Sequence, residues 1–253
     1  MSAPENSTLR LIINADDLGR SSKVNAAIFA LMARGLVTSA TIMANGPALR
    51  GCLERLPHYP SCSFGIHLNI TEFPPLTGSA ALGPLLDSRG HLSLEKFQGA
   101  CLNRALRAAI FQEWQAQLER LKGYGLHISH LDSHHDIHTD PRLFLILKRL
   151  QRAFGIRKVR IAPNISLDCR ITFRKNRLLN LALRHFYRTA TTSGFADFAT
   201  FLQAPAEIGR RHPTLELMVH PGHPRYTAET RALESPWQTG LPFALCLINY
   251  REL

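Results

Sequence analysis

Short apolar runs and longer amphipathic stretches alternate along the chain. The runs are Leu9-Arg-Leu-Ile-Ile-Asn-Ala15, Thr38-Ser-Ala-Thr-Ile-Met-Ala44, Ser63-Phe-Gly-Ile-His-Leu-Asn-Ile70 and Thr214-Leu-Glu-Leu-Met-Val219. Their length and near-continuous apolar character predict strands covered on both faces. Weaker strand signals lie before the histidines that start at His130, at Lys158-Val-Arg-Ile161 and at Phe243-Ala-Leu-Cys-Leu-Ile248. Between them, apolar residues fall at helical spacing. Val24, Ile28, Leu31 and Met32 mark one helix, capped by Ser21 or Ser22 and stopped by Gly35. Another helix is predicted from Leu94 to about Lys122, with Ile110, Trp114 and Leu118 on its core face. A third starts at Asp140-Pro141 and closes at Gly155, and a basic one covers about Phe173 to Tyr187. Ser193 to Asp197 reads as a loop.

Strands separated by helices predict parallel pairing with right-handed crossovers. Polar residues recur where four of the runs stop, which favours a barrel over a dinucleotide-binding sheet. The expectation is an irregular (β/α) barrel, TIM-barrel-like, of about seven mostly parallel strands in a single domain spanning 1–253. Neither G-x-G-x-x-G nor G-x-x-x-x-G-K-[ST] occurs. Residues 72–93 are rich in Pro and Gly and read as a long loop suited to covering a ligand, with Phe73 placed to stack on it.

Composition narrows the classes. No apolar run approaches the ~20 residues of a spanning helix, and the polar start Met1–Thr8 lacks the apolar core of a secretory signal. A cytoplasmic location is expected. Five scattered cysteines with no C-x-x-C pair argue for reduced, buried thiols. The net charge is +11, which invites a nucleic-acid reading. Much of the excess lies at Arg170, Arg174, Lys175, Arg177, Arg184 and Arg188, and a solvated basic helix face accounts for it.

Chemistry gathers at the ends of the runs. Asp16-Asp17 follows the first. Adjacent carboxylates repel unless a cation or donors share them; one can hold a metal while the other acts as a base, or the pair can cap the next helix. His67 lies near the end of its run, where it is either a core histidine or a ligand. His130-Leu-Asp-Ser-His-His-Asp-Ile-His138 carries four histidines and two aspartates in nine residues. That donor mixture suits zinc, or magnesium and manganese where oxygens dominate. Asp132 is placed to orient a ligand histidine from behind. His220 ends the fourth run, before Pro221. An open metal site needs about three protein ligands plus water. Asp17, His67 and His134 would supply them, leaving Asp16 as general base and His220 as acid on the opposite side. Glu216 alternates with apolar neighbours and is left outside the site.

The segments Asn14–Gly19, Val37–Thr41, Gly65–Thr71, His130–His138, Val159-Arg160 and Glu216–Pro221 resemble, in order and over nearly the whole chain, the YdjC/ChbG-type carbohydrate deacetylases. The resemblance implies a (β/α) barrel that removes acetyl groups from N-acetylated sugars such as chitooligosaccharides. It implies one divalent ion, magnesium by the resemblance and zinc or another transition metal by the donor set. Asp17, His67 and His134 would bind it, with Asp16 as base and His220 as acid. Arg160 matches an arginine that would steady Asp16, while Asp132 and His138 would stand behind the ligands or touch substrate. The chain departs from the family at Asp136, where a third histidine is common, and in a short segment from Arg231 to Leu241.

The expected chemistry is amide hydrolysis, with Asp16 taking a proton from the attacking water and His220 protonating the leaving amine. A phosphoester hydrolase would use the same ligands, helped by the positive charge. A basic nucleic-acid binder with a structural metal is the alternative from another class. The partner expected is a small N-acetylated sugar, with no membrane span and no specific nucleic acid; a homodimer is allowed.

Overall fold

The computed structural model describes residues 8–165 and 170–253, with residues 170–173 described by their backbone alone. Most of the polar start, Cys169 and the side chain of Arg170 lie outside the described residues. Among the described residues seven strands form one sheet: β1 (Thr8–Leu18), β2 (Ser39–Ile42), β3 (Ser63–Leu68), β4 (Leu131–Ser133), β5 (Gly194–Asp197), β6 (Thr214–Val219) and β7 (Ala244–Leu247). The order is β4-β3-β2-β1-β6-β5, and all pairs of these strands are parallel. β7 pairs with Thr8 to Leu11 of β1, on the side that β2 occupies only from Asn14 onward. Residues inside β1, β2 and β3 are almost all buried, because helices cover one face and the closed interior the other.

The expected irregular barrel is thus observed, and its irregularity has a location. Between β4 and β5 the wall continues only through single pairs, Leu131 with Val159 and Lys158 with Ala190. The strand expected at Lys158–Ile161 is therefore a line of lone bridges. Two groups stop it from extending. Asn180 takes both the N–H and the C=O of Ala162, at 2.8 and 2.9 Å, and Pro163 has no N–H to give.

The helices are α1 (Ser22–Ala33), α2 (Leu49–Leu53), α3 (Leu94–Gly99), α4 (Arg104–Gly123), α5 (Phe144–Phe154), α6 (Arg170–His185), α7 (Phe198–Gln203), α8 (Pro205–Arg211) and α9 (Thr227–Glu234). Ser21 caps α1 by accepting from the Val24 N–H at 3.2 Å. The single helix expected from Leu94 is two, because Asn103 caps a new start by accepting from Leu106 N–H at 2.9 Å. Asp140 caps the 3₁₀ turn Pro141–Leu143 that leads into α5, and Gly155 ends α5 with φ 71°. The segment expected as a loop at 193–197 contains β5, whose Phe195 and Ala196 are buried against β6. Lys148 on α5 satisfies the carbonyl end of α6, reaching Leu183 O and Phe186 O at 2.8 and 2.9 Å. The exposed face of α6 carries Arg174, Lys175 and Arg177, as a solvated basic face should.

The loop from residue 72 is packed down: Leu82, Leu85 and Leu92 are buried, and Glu113 of α4 accepts from Leu76 N and Thr77 N. Cys52 and Cys62 are buried thiols as expected, whereas Cys101 and Cys246 are exposed. Among the described residues no helix is long and apolar enough to cross a membrane.

Candidate active site

In a regular strand successive side chains point to opposite faces, so Asp16 and Asp17 should not share a site. They do because β1 breaks register with β2 between Ala15 and Leu18, and Asp17 takes a left-handed φ of 70°. Such a backbone costs on the order of 1 kcal/mol for a non-glycine residue. The result is that both carboxylates line one cavity of about 430 Å³ at the C-terminal ends of the strands. His67, His134 and His220 line it too. Phe73 does not, so the stacking expected of it is not what its position offers.

Beneath the cavity lies a closed ionic network around Arg160, which is fully buried. Its two Nη groups donate to Asp16 Oδ2 and Oδ1 at 2.7 and 2.6 Å. Its Nε donates to Glu216 Oε1 at 2.9 Å, and Nη2 lies 3.0 Å from Asp132 Oδ2. Asn14 Nδ2 adds a bond to Asp16 Oδ1 at 2.8 Å, and Thr41 Oγ1 one to Asp132 Oδ2 at 2.9 Å. Burial works to raise Asp132, but Arg160 and His67 overcome it and hold the carboxyl well below its usual range. Burial lifts Glu216 to about 7, with Arg160 pulling against it.

The other half of the site is not closed. His67 Nδ1 sits 2.7 Å from Asp132 Oδ1, which leaves Nε2 facing Asp17 Oδ1 at 3.5 Å. His134 Nδ1 is 3.0 Å from the same Asp17 oxygen. Yet Asp17 Oδ1 is buried and, among the described residues, accepts no well-aligned hydrogen bond, the His134 approach included. A buried carboxylate oxygen left without a donor is costly. Ligand atoms of Asp17, His67 and His134 all lie within 4.8 Å of one another. One carboxylate and two imidazoles around an unsatisfied oxygen fit a divalent cation such as zinc. Burial raises the Asp17 carboxyl, but His134 and then His67 outweigh it and hold it far below its usual range. A second trio, Asp16, His67 and Asp132, also converges, but each of its carboxylate oxygens already has a partner in Arg160, Thr41, Asn14 or His67 itself.

His220 stands across the cavity. Its backbone N–H donates to Glu229 Oε1 at 2.5 Å, and its ring stacks on Tyr226 with centroids 4.1 Å apart. Its Nδ1 has no hydrogen-bond partner. Burial lowers its pKa, while Asp16 and Asp17 pull the other way.

Asp16, Asp17, His67, His134 and His220 therefore line one cavity, with Asp132 and Arg160 directly behind. His138 does not reach the cavity. Left-handed φ values at His135 and Asp136, 55° and 51°, break the turn, so His134 and His138 diverge. His138 instead bonds Ser133 Oγ at 2.7 Å and the carbonyl of Arg160 at 3.1 Å. Glu216, left out of the site on sequence grounds, belongs to its support; its alternation with apolar residues was the available signal. Glu72 carried no signal at all. Its Oε2 lies 2.9 Å from His134 Nε2 and its Oε1 2.7 Å from Arg20, because Asn69 folds the loop start by accepting from Thr71 N and Glu72 N. Asp136 lines the cavity, 3.6 Å from Arg160, with its carboxyl raised by burial to about 6.

The YdjC-like protein family model matches residues 10–242. A carbohydrate deacetylase of Geobacillus stearothermophilus is 38% identical over 153 residues, covering 60% of this chain and 60% of the relative. The chain thus matches about three fifths of that relative's length. A carbohydrate deacetylase of Oceanobacillus iheyensis is 31% identical over 218 residues, 85% of this chain and 86% of the relative. Among solved structures, a protein of Enterococcus faecalis V583 described as a cellobiose-phosphate cleavage protein superposes with a TM-score of 0.77. It is 22% identical, and the superposition covers 97% of this chain and 99% of that one. At that identity the likeness speaks for the fold alone.

Proposed function

The chain belongs to the YdjC-like family, and from that premise we propose that it is a metal-dependent hydrolase that removes acetyl groups from N-acetylated sugars. The relatives named carbohydrate deacetylase support the reaction class. The observation that carries the reading is the unpartnered Asp17 Oδ1 between two imidazoles, beside a second carboxylate gripped by arginine.

Asp17, His67 and His134 would hold the ion. When bound, a divalent ion lowers the pKa of a water and polarises a carbonyl. The remaining steps belong to the chain. Asp16 takes the proton of the attacking water, and Oδ2 is the oxygen with room for it: Oδ1 accepts from both Arg160 and Asn14, Oδ2 from Arg160 alone. The Arg160 fork fixes the carboxylate plane through one hydrogen bond to each oxygen. Asp132 fixes the His67 ring by its Nδ1 edge, so Nε2 is the nitrogen turned toward Asp17. His220, held by Tyr226 and Glu229, gives a proton to the departing amine, without which that bond breaks slowly. A lowered imidazole pKa makes its protonated form a stronger acid. Arg20, His223 and Arg225 line the mouth and offer donors to sugar hydroxyls.

The test is acetate release from a panel of N-acetylhexosamine oligomers, after chelation and then with magnesium, zinc, manganese or cobalt restored. Release that needs an added ion supports the reading. No release with any ion, or cleavage of chromogenic phosphoesters instead, would replace it with the phosphoester alternative or remove the enzyme altogether.

A further inference from the structure

Glu216 and Tyr250 are both fully buried and neither lines the cavity. They come from distant parts of the chain, β6 and the short turn Tyr250–Glu252. Tyr250 is fixed three ways. Its ring stacks on His130 with centroids 3.6 Å apart and planes 8° from parallel. Its N–H donates to Ser63 Oγ at 3.0 Å, and its hydroxyl donates to Glu216 Oε2. Gly65 makes room for the stack, since a Cβ there would lie 2.5 Å from the His130 ring. The other oxygen of Glu216 takes Arg160 Nε at 2.9 Å.

The surroundings of Arg160 make that last bond matter. Its Nη edge has more than one acceptor in reach: Asp16 at 2.7 and 2.6 Å, Asp132 Oδ2 at 3.0 Å and Asp136 Oδ1 at 3.6 Å. A guanidinium is a rigid planar fork, so a small rotation of its plane would trade the paired hydrogen bonds to Asp16 for Asp132 or Asp136. Nε has one hydrogen-bond partner among the described residues, Glu216. Pinning Nε fixes the plane, and both Nη groups then stay on Asp16.

We propose that Glu216 and Tyr250 are positioning residues. Acting on the Nε edge of Arg160, they aim its fork at Asp16 and so hold that carboxylate toward the cavity. The catalytic part of this inference rests on the reading of Asp16 as the base. The structural part does not.

The experiment uses the full chain with Glu216→Leu, Glu216→Gln and Tyr250→Phe, read by kinetics, zinc titration and a crystal structure of Glu216→Leu. The expected result for Glu216→Leu is a kcat lowered about 100-fold with KM changed less than about twofold. Zinc affinity should stay at the wild-type level, and the crystal should show the fork rotated from Asp16 onto Asp132 or Asp136. Gln keeps an oxygen for Nε, so Glu216→Gln should recover to within about tenfold of wild type. If Glu216→Leu does not fold, Tyr250→Phe carries the same kcat-only loss at smaller amplitude. An unchanged pair of hydrogen bonds from Arg160 to Asp16 in the Glu216→Leu crystal would overturn the proposal. So would equal kcat for the Leu and Gln variants, or a parallel loss of zinc affinity. If the wild type releases no acetate, the deacetylase reading fails separately and the crystal alone decides this one.

Discussion

Two clusters of carboxylates meet at His67 and are built in opposite ways. On one side Arg160 serves Asp16, Asp132 and Glu216, and Asn14, Thr41 and Tyr250 supply further donors. On the other side Asp17 faces His67 and His134 with an oxygen that, despite His134 Nδ1 at 3.0 Å, accepts no well-aligned hydrogen bond from the described residues. Both clusters have the residue types and the convergence of a metal site. In the second, the Asp17 oxygen accepts no hydrogen bond from the described residues. A count of acidic and histidine side chains cannot separate the two, whereas an accounting of which lone pairs are already used does. The same accounting separates neighbours in sequence: Arg160 donates to both oxygens of Asp16, whereas Asp17 keeps one without a hydrogen bond, the one the proposed function gives to an ion.

The largest expected effect tests the closed side. Arg160→Leu leaves Asp16, Asp132 and Glu216 buried without their common counter-charge, and breaking such a network costs about 3–5 kcal/mol. Urea unfolding should show it, and Arg160→Lys should not restore it, because an ammonium cannot span two oxygens of Asp16 and also reach Glu216. Stability within 1 kcal/mol of wild type, on the order of a surface change, would mean the network is not closed as described.

A second effect separates the neighbours kinetically. Asp16→Asn should reduce turnover by on the order of 10²–10⁴-fold, the range of a lost general base, in protein that remains folded by circular dichroism. Turnover within a few-fold of wild type would move the base elsewhere.

Proton linkage gives a third, of middle size. Burial raises Glu229 to about 7 from an ordinary 4.5, against the pull of the His220 N–H. A raised carboxyl binds its proton more tightly in the folded state. Its favourable neutral form is present below about 4.5 and is lost as pH rises through about 7. Glu229→Gln keeps the acceptor for His220 N–H and cannot ionise. Its stability relative to wild type should therefore grow as pH rises from 4.5 to 8, by on the order of 1–2 kcal/mol. A pH-independent difference would show that Glu229 is not buried as a carboxyl.

The smallest effect is Tyr250→Phe, which removes one donor from Glu216 and should cost about 0.5–1.5 kcal/mol in urea unfolding.

How far the residues alone carried this site depends on what kind of signal each one left. The apolar runs ending in Asp16-Asp17, His67 and His220 announced parallel strands whose ends line one cavity, because burial on both faces writes a continuous pattern. The gap in the barrel wall left no such trace. Val159 and Ile161 look like strand residues, and the side chain that halts them, Asn180, comes from a helix 18 positions further on. His138 was expected behind the ligands or against substrate, and its turn away from the cavity follows from two left-handed residues that the spacing does not encode. Glu72 sits in a loop without periodicity and is placed by the hydrogen bonds of Asn69. Tyr250 reaches Glu216 across 34 residues of chain, a pairing that no local spacing encodes.

The central claim is that Asp17, and not Asp16, shares an ion with His67 and His134. The direct measurement is calorimetric titration of zinc into chelator-treated wild type, Asp17→Asn and Asp16→Asn. One ion should bind the wild type and Asp16→Asn with similar affinity, and Asp17→Asn should lose binding by at least about 10²-fold, on the order of a lost ligand. Equal loss in both variants, or unchanged binding in Asp17→Asn, would contradict it.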